Sequence, residues 1–311
     1  GLDFNDTSNV LKYETVVNSR ETTASISCEN GGLLFYLGRD NTQNYFYYNI
    51  YNSSNNIVLN GDSLEVGSSI TNGALIIHKP MDVNMYYIFH LGGIKNNNCN
   101  NEYCSYGFYT VVMKNGNSEA VMVKNKLLTE IPLEEKLTAI KHANGIDWWV
   151  ISHADTELNG INCDNSFLTF LITKDSIIGP KIQNIGPMIC IQNVSQTGEM
   201  ATSRLGNRIV YLNGPNNKLG ILDFNRCTGE LSNYIGINGT PNPYSAAFSS
   251  NGNFLYVNSS SNVGGSDRLD QYDLTSTDIS SSRTELSNGV PGTFGQLELA
   301  PNGKIMVALT D

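Results

Sequence analysis

His142 and Asp147 flank the dipeptide Asn144-Gly145, and their types and spacing point most directly to chemistry. If the dipeptide forms the turn of a hairpin, the histidine lies opposite the aspartate. A carboxylate beside an imidazole can orient the ring as a general base. The same contact can be a structural hydrogen bond that fixes the turn, and such pairs are more often structural than catalytic. We therefore predict a structural pair.

The other histidines do not have the spacing of metal ligands. His153 lies at the far end of its strand from His142, about 20 Å away at ~3.3 Å per residue. His78 and His90 are separated by the turn of their own hairpin. The segment 155–164 carries the oxygen ligands that calcium prefers but lacks the regular DxDxDG spacing. We predict no metal site and no cofactor, with calcium in this segment as the alternative to a solvated loop.

Motifs for nucleophilic catalysis are missing from the sequence. There is no GxSxG, HExxH, P-loop or GxGxxG pattern. Two carboxyl groups for glycoside hydrolysis could come from the loop residues Asp155, Glu157, Asp164 or Asp267. Any acidic chain offers such residues, so these carboxylates alone do not indicate an enzyme.

Three tyrosines lie in or beside the longest loops of the chain. Tyr103, Tyr106 and Tyr244 could stack on sugar rings or contact a protein partner. The alternative is that they cap the ends of the core, because buried aromatic residues outnumber those that contact ligands. With the loop carboxylates they give these candidate ligand-binding residues: Tyr103, Tyr106, Asp155, Asp164, Tyr244 and Asp267.

Six cysteines are too few to form a disulfide framework for 311 residues, and no CxxC pair is present. Cys99 and Cys104 lie five positions apart in an asparagine-rich stretch, where a disulfide could close a small loop in an oxidising compartment. The alternative is that all six thiols are reduced, with Cys28 and Cys190 packed as small apolar groups.

The composition excludes several classes of partner. The net charge is −10, from 19 Lys and Arg against 29 Asp and Glu, and the basic residues are scattered. We therefore expect no nucleic-acid partner. No run of 18 apolar residues occurs, so we expect no membrane insertion. Only 15% of the residues are charged and 29 are glycine, which favours strands and turns over helices.

A repeated unit of strand, tight turn and apolar strand runs through the chain. Its turns at Gly145, Gly206, Gly252 and Gly303 fall 61, 46 and 51 residues apart. The Asn-Gly turns predict type I′ hairpins, in which both turn residues have positive φ. Second strands such as 147–151 show no polar alternation, which indicates that both of their faces are covered.

A third and a weaker fourth strand follow each hairpin, and four antiparallel strands form a propeller blade. The sequence therefore predicts an all-β chain, a β-propeller of four-stranded antiparallel blades with six visible repeats. Residues 1–5 read like a third strand, whereas residues 296–311 supply only first and second strands. We predict one domain, 1–311, whose N-terminal strands complete the last blade. Seven blades are the alternative if the chain is incomplete at its ends.

The run from His142 to His153, His-Ala-Asn-Gly-Ile-Asp-Trp-Trp-Val-Ile-Ser-His, resembles the propeller region of large Bacteroidetes surface proteins with a gliding-motility-associated C-terminal sorting domain. Residues 1–5, 30–36 and 86–89 extend the resemblance, and residues 248–257 are similar to YVTN or WD40-like repeats. The resemblance implies type IX secretion, a secreted or cell-surface location, and further domains in a larger parent chain. The sorting domain itself is not in this sequence.

These observations predict a non-catalytic recognition or adhesion module of a secreted cell-surface protein. Its partner would be an extracellular glycan or protein, bound through the loop-rich face. One alternative is a structural subunit of an extracellular assembly. The other is a polysaccharide hydrolase or lyase that uses the loop carboxylates.

Overall fold

The computed structural model describes residues 2–3, 11–12, 15–17, 21–39, 48–67, 70–93, 105–116, 118–158, 161–191, 197–259, 267–288 and 293–310. Within these ranges the chain forms strands and one short 3₁₀ helix, Ser280–Ser282. No helix in the described ranges has the length and apolarity needed to span a bilayer. The prediction of an all-β chain is confirmed.

The strands of the first half, in chain order, are β1 (Leu2–Asp3), β2 (Leu11–Lys12), β3 (Ala24–Ser27), β4 (Leu33–Arg39), β5 (Tyr48–Asn52), β6 (Ala74–His78), β7 (Met85–Gly92), β8 (Tyr106–Asn115), β9 (Ser118–Leu127), β10 (Leu133–Lys141), β11 (Trp148–Ala154) and β12 (Glu157–Leu158). Those of the second half are β13 (Ile161–Ile172), β14 (Ile177–Ile191), β15 (Met200–Thr202), β16 (Arg208–Asn213), β17 (Lys218–Asn225), β18 (Glu230–Ile237), β19 (Pro243–Phe248), β20 (Phe254–Ser259), β21 (Arg268–Asp273), β22 (Thr284–Asn288), β23 (Thr293–Leu299) and β24 (Ile305–Thr310).

Hydrogen bonding joins these strands into consecutive antiparallel sheets, which we number as blades. Blade 1 is β3–β5, blade 2 is β6–β9, and blade 3 is β10–β14. In blade 3, β12 pairs with the first residues of β13. Blades 4 and 5 are β15–β18 and β19–β22, and blade 6 contains β23 and β24. Blades 2, 4 and 5 each have four strands in sequence order. This arrangement confirms the predicted β-propeller.

The first strand of each blade lies nearest the centre, and we call these strands (β3, β6, β10, β15, β19 and β23) the inner strands. Each inner strand contacts the next one along the chain, from β3 to β23. Residues from all six line a single cavity. The sheets therefore stand radially around an axis, as the repeat predicts.

Apolar side chains fill the spaces between neighbouring blades. Phe89 of blade 2 and Leu168 of blade 3 belong to one fully buried cluster. Ile151 of blade 3 and Ile209 of blade 4 belong to the next. Burial of a side chain of this size stabilises the fold by about 1.5–3 kcal/mol. The continuous apolar run of β11 is buried on both faces for this reason, as its sequence predicts.

The hairpin turns differ from the prediction. At Gly145, Gly206, Gly252 and Gly303 only the glycine has a positive φ, between 68° and 80°, and the residue before it does not. Each glycine N–H donates to the carbonyl three residues earlier, as from Gly145 to His142 at 3.0 Å. The type I′ prediction is therefore wrong. The segments between these strands are five or six residues long, so a single left-handed glycine is enough to reverse the chain.

At the two ends of the chain, β1 pairs with β2 and β23 pairs with β24. These pairings do not test whether the four strands form one blade. The predicted single domain over 1–311, closed by its N-terminal strands, therefore stays a prediction, as does the choice between six and seven blades.

Candidate functional site

Residues of the six inner strands line a cavity of about 910 Å³ on the axis of the propeller, which we call the axial cavity. Small side chains leave this space open. Ala74, Ala139, Ala201 and Ala247 lie in its wall on four different inner strands. A cavity of this volume is in the range that holds a small-molecule ligand.

Polar residues cluster where the inner strands begin, because equivalent ends of the inner strands meet at one end of the axis. We call this cluster the axial mouth. It consists of Glu21, Thr71, Asn72, Glu135, Glu199, Tyr244, Ser245 and Gln296, and hydrogen bonds between these side chains cross from blade to blade. All six blades contribute to it.

Glu199, immediately before β15, is the most highly connected carboxylate of the mouth. Its Oε1 accepts hydrogen bonds from the side-chain amides of Asn72 (3.4 Å) and Gln296 (3.2 Å). Its Oε2 accepts from the hydroxyl of Ser245 and from the backbone N–H of Ala246 at 3.3 Å. The carboxylate is 5% exposed and lines the axial cavity.

The donors around Glu199 are themselves held in place. The backbone N–H of Met200 donates to Oδ1 of Asn72 at 2.8 Å, which turns the amide nitrogen of Asn72 toward Glu199. The backbone N–H of Leu297 donates to Oγ of Ser245 at 2.7 Å, so the serine hydroxyl points to Glu199. The orientation of the carboxylate is therefore set by contacts from blades 2, 5 and 6.

Burial raises the pKa of Glu199 to about 7. The hydrogen bonds that it accepts favour the ionised form and oppose this shift, but they do not cancel it. A carboxyl group with this pKa exchanges a proton near neutral pH. This is the property that a general base or acid requires.

A second polar group lies beside Glu199 in the mouth. Oε2 of Glu135 accepts from the backbone N–H and the hydroxyl of Thr71, at 3.2 and 3.1 Å. Burial raises the pKa of Glu135. The hydroxyl of Tyr244 donates to Oε1 of Glu21 at 3.0 Å, and burial with the nearby charge of Glu21 raises the pKa of Tyr244.

Glu298 places a further carboxyl group on the cavity wall. It lies two positions after Gln296 on β23, so both side chains are on the same face of the strand. Both are exposed to the cavity. The protein around Glu298 still raises its pKa by burial.

Behind the mouth, a buried ionic cluster joins blades 3 and 4. Glu134 contacts Nζ of Lys136 at 2.7 Å and Nδ1 of His153 at 3.3 Å, and it accepts a hydrogen bond from Tyr211 at 2.9 Å. All four residues are at most 2% exposed. Burial alone would raise the pKa of Glu134, but the interactions with His153 and Lys136 outweigh it and lower the pKa. This cluster fixes the start of β10, next to Glu135.

Of the predicted ligand-binding residues that the structure describes, Tyr244 alone belongs to the axial mouth. Asp164 accepts from the hydroxyl of Thr156 and from the backbone N–H of Ser166. Asp267 accepts from the backbone N–H of Phe294. These two aspartates are almost completely buried and satisfy backbone and loop groups.

Tyr106 begins β8 and is buried. The backbone N–H of Asp155 donates to the carbonyl of Pro132 at 2.9 Å. Tyr103, Cys99 and Cys104 lie outside the described residues. Within the described ranges, Cys28 and Cys227 carry free thiols.

The backbone N–H of His142 donates to the carbonyl of Asp147 at 2.9 Å, so the two residues lie opposite each other. Their side chains bind other partners. Nδ1 of His142 accepts from the backbone N–H of Asn144 at 3.0 Å, and Oδ2 of Asp147 accepts from the amide of Asn144 at 2.7 Å. Both side chains thus contact their own turn.

Glu199 is not among the residues that the sequence predicts for a site. A repeated feature could have indicated it, because Glu21, Glu135 and Glu199 all lie within three residues of the start of an inner strand. Across the part of the chain that the structure describes, no three His, Cys, Asp or Glu side chains come together as metal ligands.

No protein-family model matches the chain, and no curated protein matches it. Solved structures do resemble it. Hydrazine synthase of Kuenenia stuttgartiensis is 13% identical with a TM-score of 0.52, over 92% of this chain and 83% of that chain. A periplasmic gluconolactonase of Pseudomonas aeruginosa is 12% identical with a TM-score of 0.46, over 84% of this chain and 70% of that chain.

A luciferin-regenerating enzyme is 11% identical with a TM-score of 0.46, over 86% of this chain and 76% of that chain. At these identities the likeness shows the propeller fold alone. The three similar structures are nevertheless enzymes, which contradicts the predicted non-catalytic recognition or adhesion module. That prediction rested on the loops and on the absence of nucleophile motifs, and it did not include the buried carboxyl group of Glu199.

Proposed function

We propose that this protein is a hydrolase of small esters or lactones in which Glu199 is the general base. The observation that supports this role is the buried carboxyl group of Glu199, which has a pKa of about 7 and lines a cavity large enough for a small molecule. A base is most effective when its pKa is close to the working pH.

The proposed reaction needs no covalent intermediate with the protein. Ionised Glu199 accepts a proton from a water molecule while the water oxygen attacks the ester carbonyl carbon. The carbon–oxygen bond to the leaving alkoxide then breaks, and protonated Glu199 returns its proton to that alkoxide. The products are a carboxylic acid and an alcohol, and Glu199 returns to its starting state.

The amides of Asn72 and Gln296 supply the electrostatic part of this mechanism. Each amide nitrogen has two hydrogens, and each directs one of them to Glu199. The second hydrogen of each nitrogen can donate to the carbonyl oxygen of the substrate as negative charge develops there. Preorganised donors of this kind contribute strongly to the stabilisation of an oxyanion.

The test is turnover by the full chain on a panel of sugar lactones, aliphatic lactones and short-chain aryl esters. We expect hydrolysis of at least one class, and the variant Glu199→Gln should lose roughly 10²–10⁴-fold in kcat/KM. The matched control is Glu29→Gln, an exposed glutamate in the β3–β4 turn, which should retain activity. Equal activity of the wild type and Glu199→Gln would contradict the proposal.

We further propose a location for the parent protein from the resemblance of residues 142–153 to Bacteroidetes surface proteins. The protein would be secreted through the type IX system and would meet extracellular partners such as glycans or proteins, within a larger chain. Immunoblots of cell, envelope and medium fractions from the source organism test this. Detection in the cytosolic fraction alone would contradict it.

A further inference from the structure

The residues that line the axial cavity differ between the inner strands. Gln296 and Glu298 on β23 and Ser25 and Ser27 on β3 are exposed and line the cavity. The lining residues on β10 and β15 are uncharged and include Thr138, Ala139, Ala201 and Thr202.

The ionisable groups of this wall carry only negative charge. Glu199 and Glu298 are both among the lining residues, and the described lining contains no Lys, Arg or His. Glu21 and Glu135 add carboxyl groups at the mouth. Charges of one sign inside a narrow space with low-dielectric walls focus the electric field there.

We propose that the axial cavity selects an uncharged, hydroxyl-bearing ring compound and that Glu298 is the residue that excludes anionic ligands. This inference rests on the proposed function and specifies its substrate class. A phosphate or carboxylate in the cavity would lie near two carboxylates, with no compensating cation among the described lining residues. An uncharged ring can instead direct its hydroxyl groups to Glu298, Gln296 and Ser25.

The shape of the wall supports the same class of ligand. Sugar-like rings have hydroxyl groups at the edge and a less polar face formed by C–H groups. The hydroxyl edge of such a ring can hydrogen-bond to the polar side chains on β23 and β3. Its C–H face can pack against Ala139 on β10 and Ala201 on β15.

The charge selection can be measured without knowledge of the substrate. The probes are three nitroxides of equal size, of which one is cationic, one neutral and one anionic. A nitroxide that enters the cavity broadens the NMR signals of nearby groups. The measured signals are those of the ¹³C-labelled methyl groups of Ala74 and Ala201. At pH 8, which is above the pKa of about 7 of Glu199, we expect the anionic probe to broaden these signals about fivefold less than the neutral one.

The ratio of broadening by the neutral probe to broadening by the anionic probe should fall to about half in Glu298→Gln, because one of the two wall charges is removed. Glu29→Gln should keep the wild-type ratio. Equal broadening by the neutral and anionic probes in the wild type would overturn the inference. Absence of broadening by all three probes would overturn it as well, because the cavity would then be closed to small molecules.

A second measurement separates this inference from the proposed function. Sugar lactones are compared with the same lactones carrying a phosphate, by kcat/KM in the wild type and Glu298→Gln. We expect the neutral lactones to be preferred, with the preference reduced severalfold in the variant. Preference for the phosphorylated lactone would overturn the inference alone. If the protein hydrolyses neither these lactones nor any other member of the ester and lactone panel, while the nitroxide result is as expected, the proposed function alone is overturned.

Discussion

The hydroxyl of Ser245 donates to the carboxylate of Glu199, so a residue of blade 5 holds the ionisable group that precedes the first strand of blade 4. Ser245 is fully buried, and its oxygen also accepts from the backbone N–H of Leu297 in blade 6. One side chain therefore connects three consecutive blades at the axial mouth.

Substitution of this serine should affect stability and the site together. Ser245→Ala leaves the N–H of Leu297 without a buried partner and removes one of the two donors to Oε2 of Glu199. This should cost about 1–3 kcal/mol in the free energy of unfolding. Loss of the donor should also raise the pKa of Glu199. Urea unfolding and the pH dependence of kcat/KM measure the two effects. The exposed control Ser250→Ala should change neither, and an unchanged stability of Ser245→Ala would contradict the role described.

The raised pKa of Glu199 predicts a pH dependence of stability. Its folded pKa is about 7 and its ordinary value is 4.5, so the folded state binds the proton more tightly than the unfolded state. This contribution is fully present below pH 4.5 and is lost as the pH rises through 7. It amounts to about 3 kcal/mol.

Urea unfolding of the wild type and of Glu199→Gln between pH 4.5 and 8 should therefore diverge. The wild type should lose stability relative to the variant as the pH rises across this window. Glu29→Gln should follow the wild type. Parallel curves for the wild type and Glu199→Gln would show that the folded pKa of Glu199 is not raised.

The buried pair of Glu134 and Lys136 predicts that substitutions of the two residues have strongly non-additive effects on the free energy of unfolding. Lys136→Met leaves the carboxylate of Glu134 without its closest cation, 2.7 Å away, in a site that is 2% exposed. The expected loss is about 3–5 kcal/mol. The double variant Glu134→Gln with Lys136→Met should recover much of it, because no uncompensated charge remains. A double variant as unstable as the single one would contradict this account.

Two glycines with nearly equal φ separate backbone strain from steric conflict. Gly145 has φ 73° with no atom within 4 Å of an added Cβ, whereas at Gly229, φ 69°, the Cβ would lie 2.7 Å from the ring of Trp149. Gly145→Ala should cost only the left-handed penalty, about 1–2 kcal/mol. Gly229→Ala should cost more, because the indole must move. Equal losses in thermal or urea unfolding would contradict the steric assignment.

The fold could be predicted because its signals are local. The uninterrupted apolar run of β11 indicated a strand covered on both faces, and the spacing of Gly145, Gly206, Gly252 and Gly303 indicated blades. The turn type was mispredicted because Asn-Gly sequences also occur in longer loops, where the asparagine side chain caps the turn. Asn144 does this by accepting from the backbone N–H groups of Ile146 and Asp147.

The site could not be predicted because its contacts are distant in sequence. Asn72, Ser245 and Gln296 lie 127, 46 and 97 positions from Glu199, and no local pattern connects them. In the sequence alone, a glutamate before a short strand cannot be distinguished from an ordinary surface residue, because its burial depends on contacts with other blades. The loop carboxylates were more conspicuous, yet Asp164 and Asp267 bind loop and backbone groups.

The ionisation of Glu199 is the most direct test of the account. With ¹³C-labelled glutamate, the carboxyl resonance that disappears in Glu199→Gln can be titrated in the folded wild-type protein. The account predicts a midpoint near pH 7 that coincides with the acidic limb of the pH–kcat/KM profile. A midpoint near 4.5 would contradict it, because Glu199 would then be an ordinary carboxylate and not the base of an enzyme.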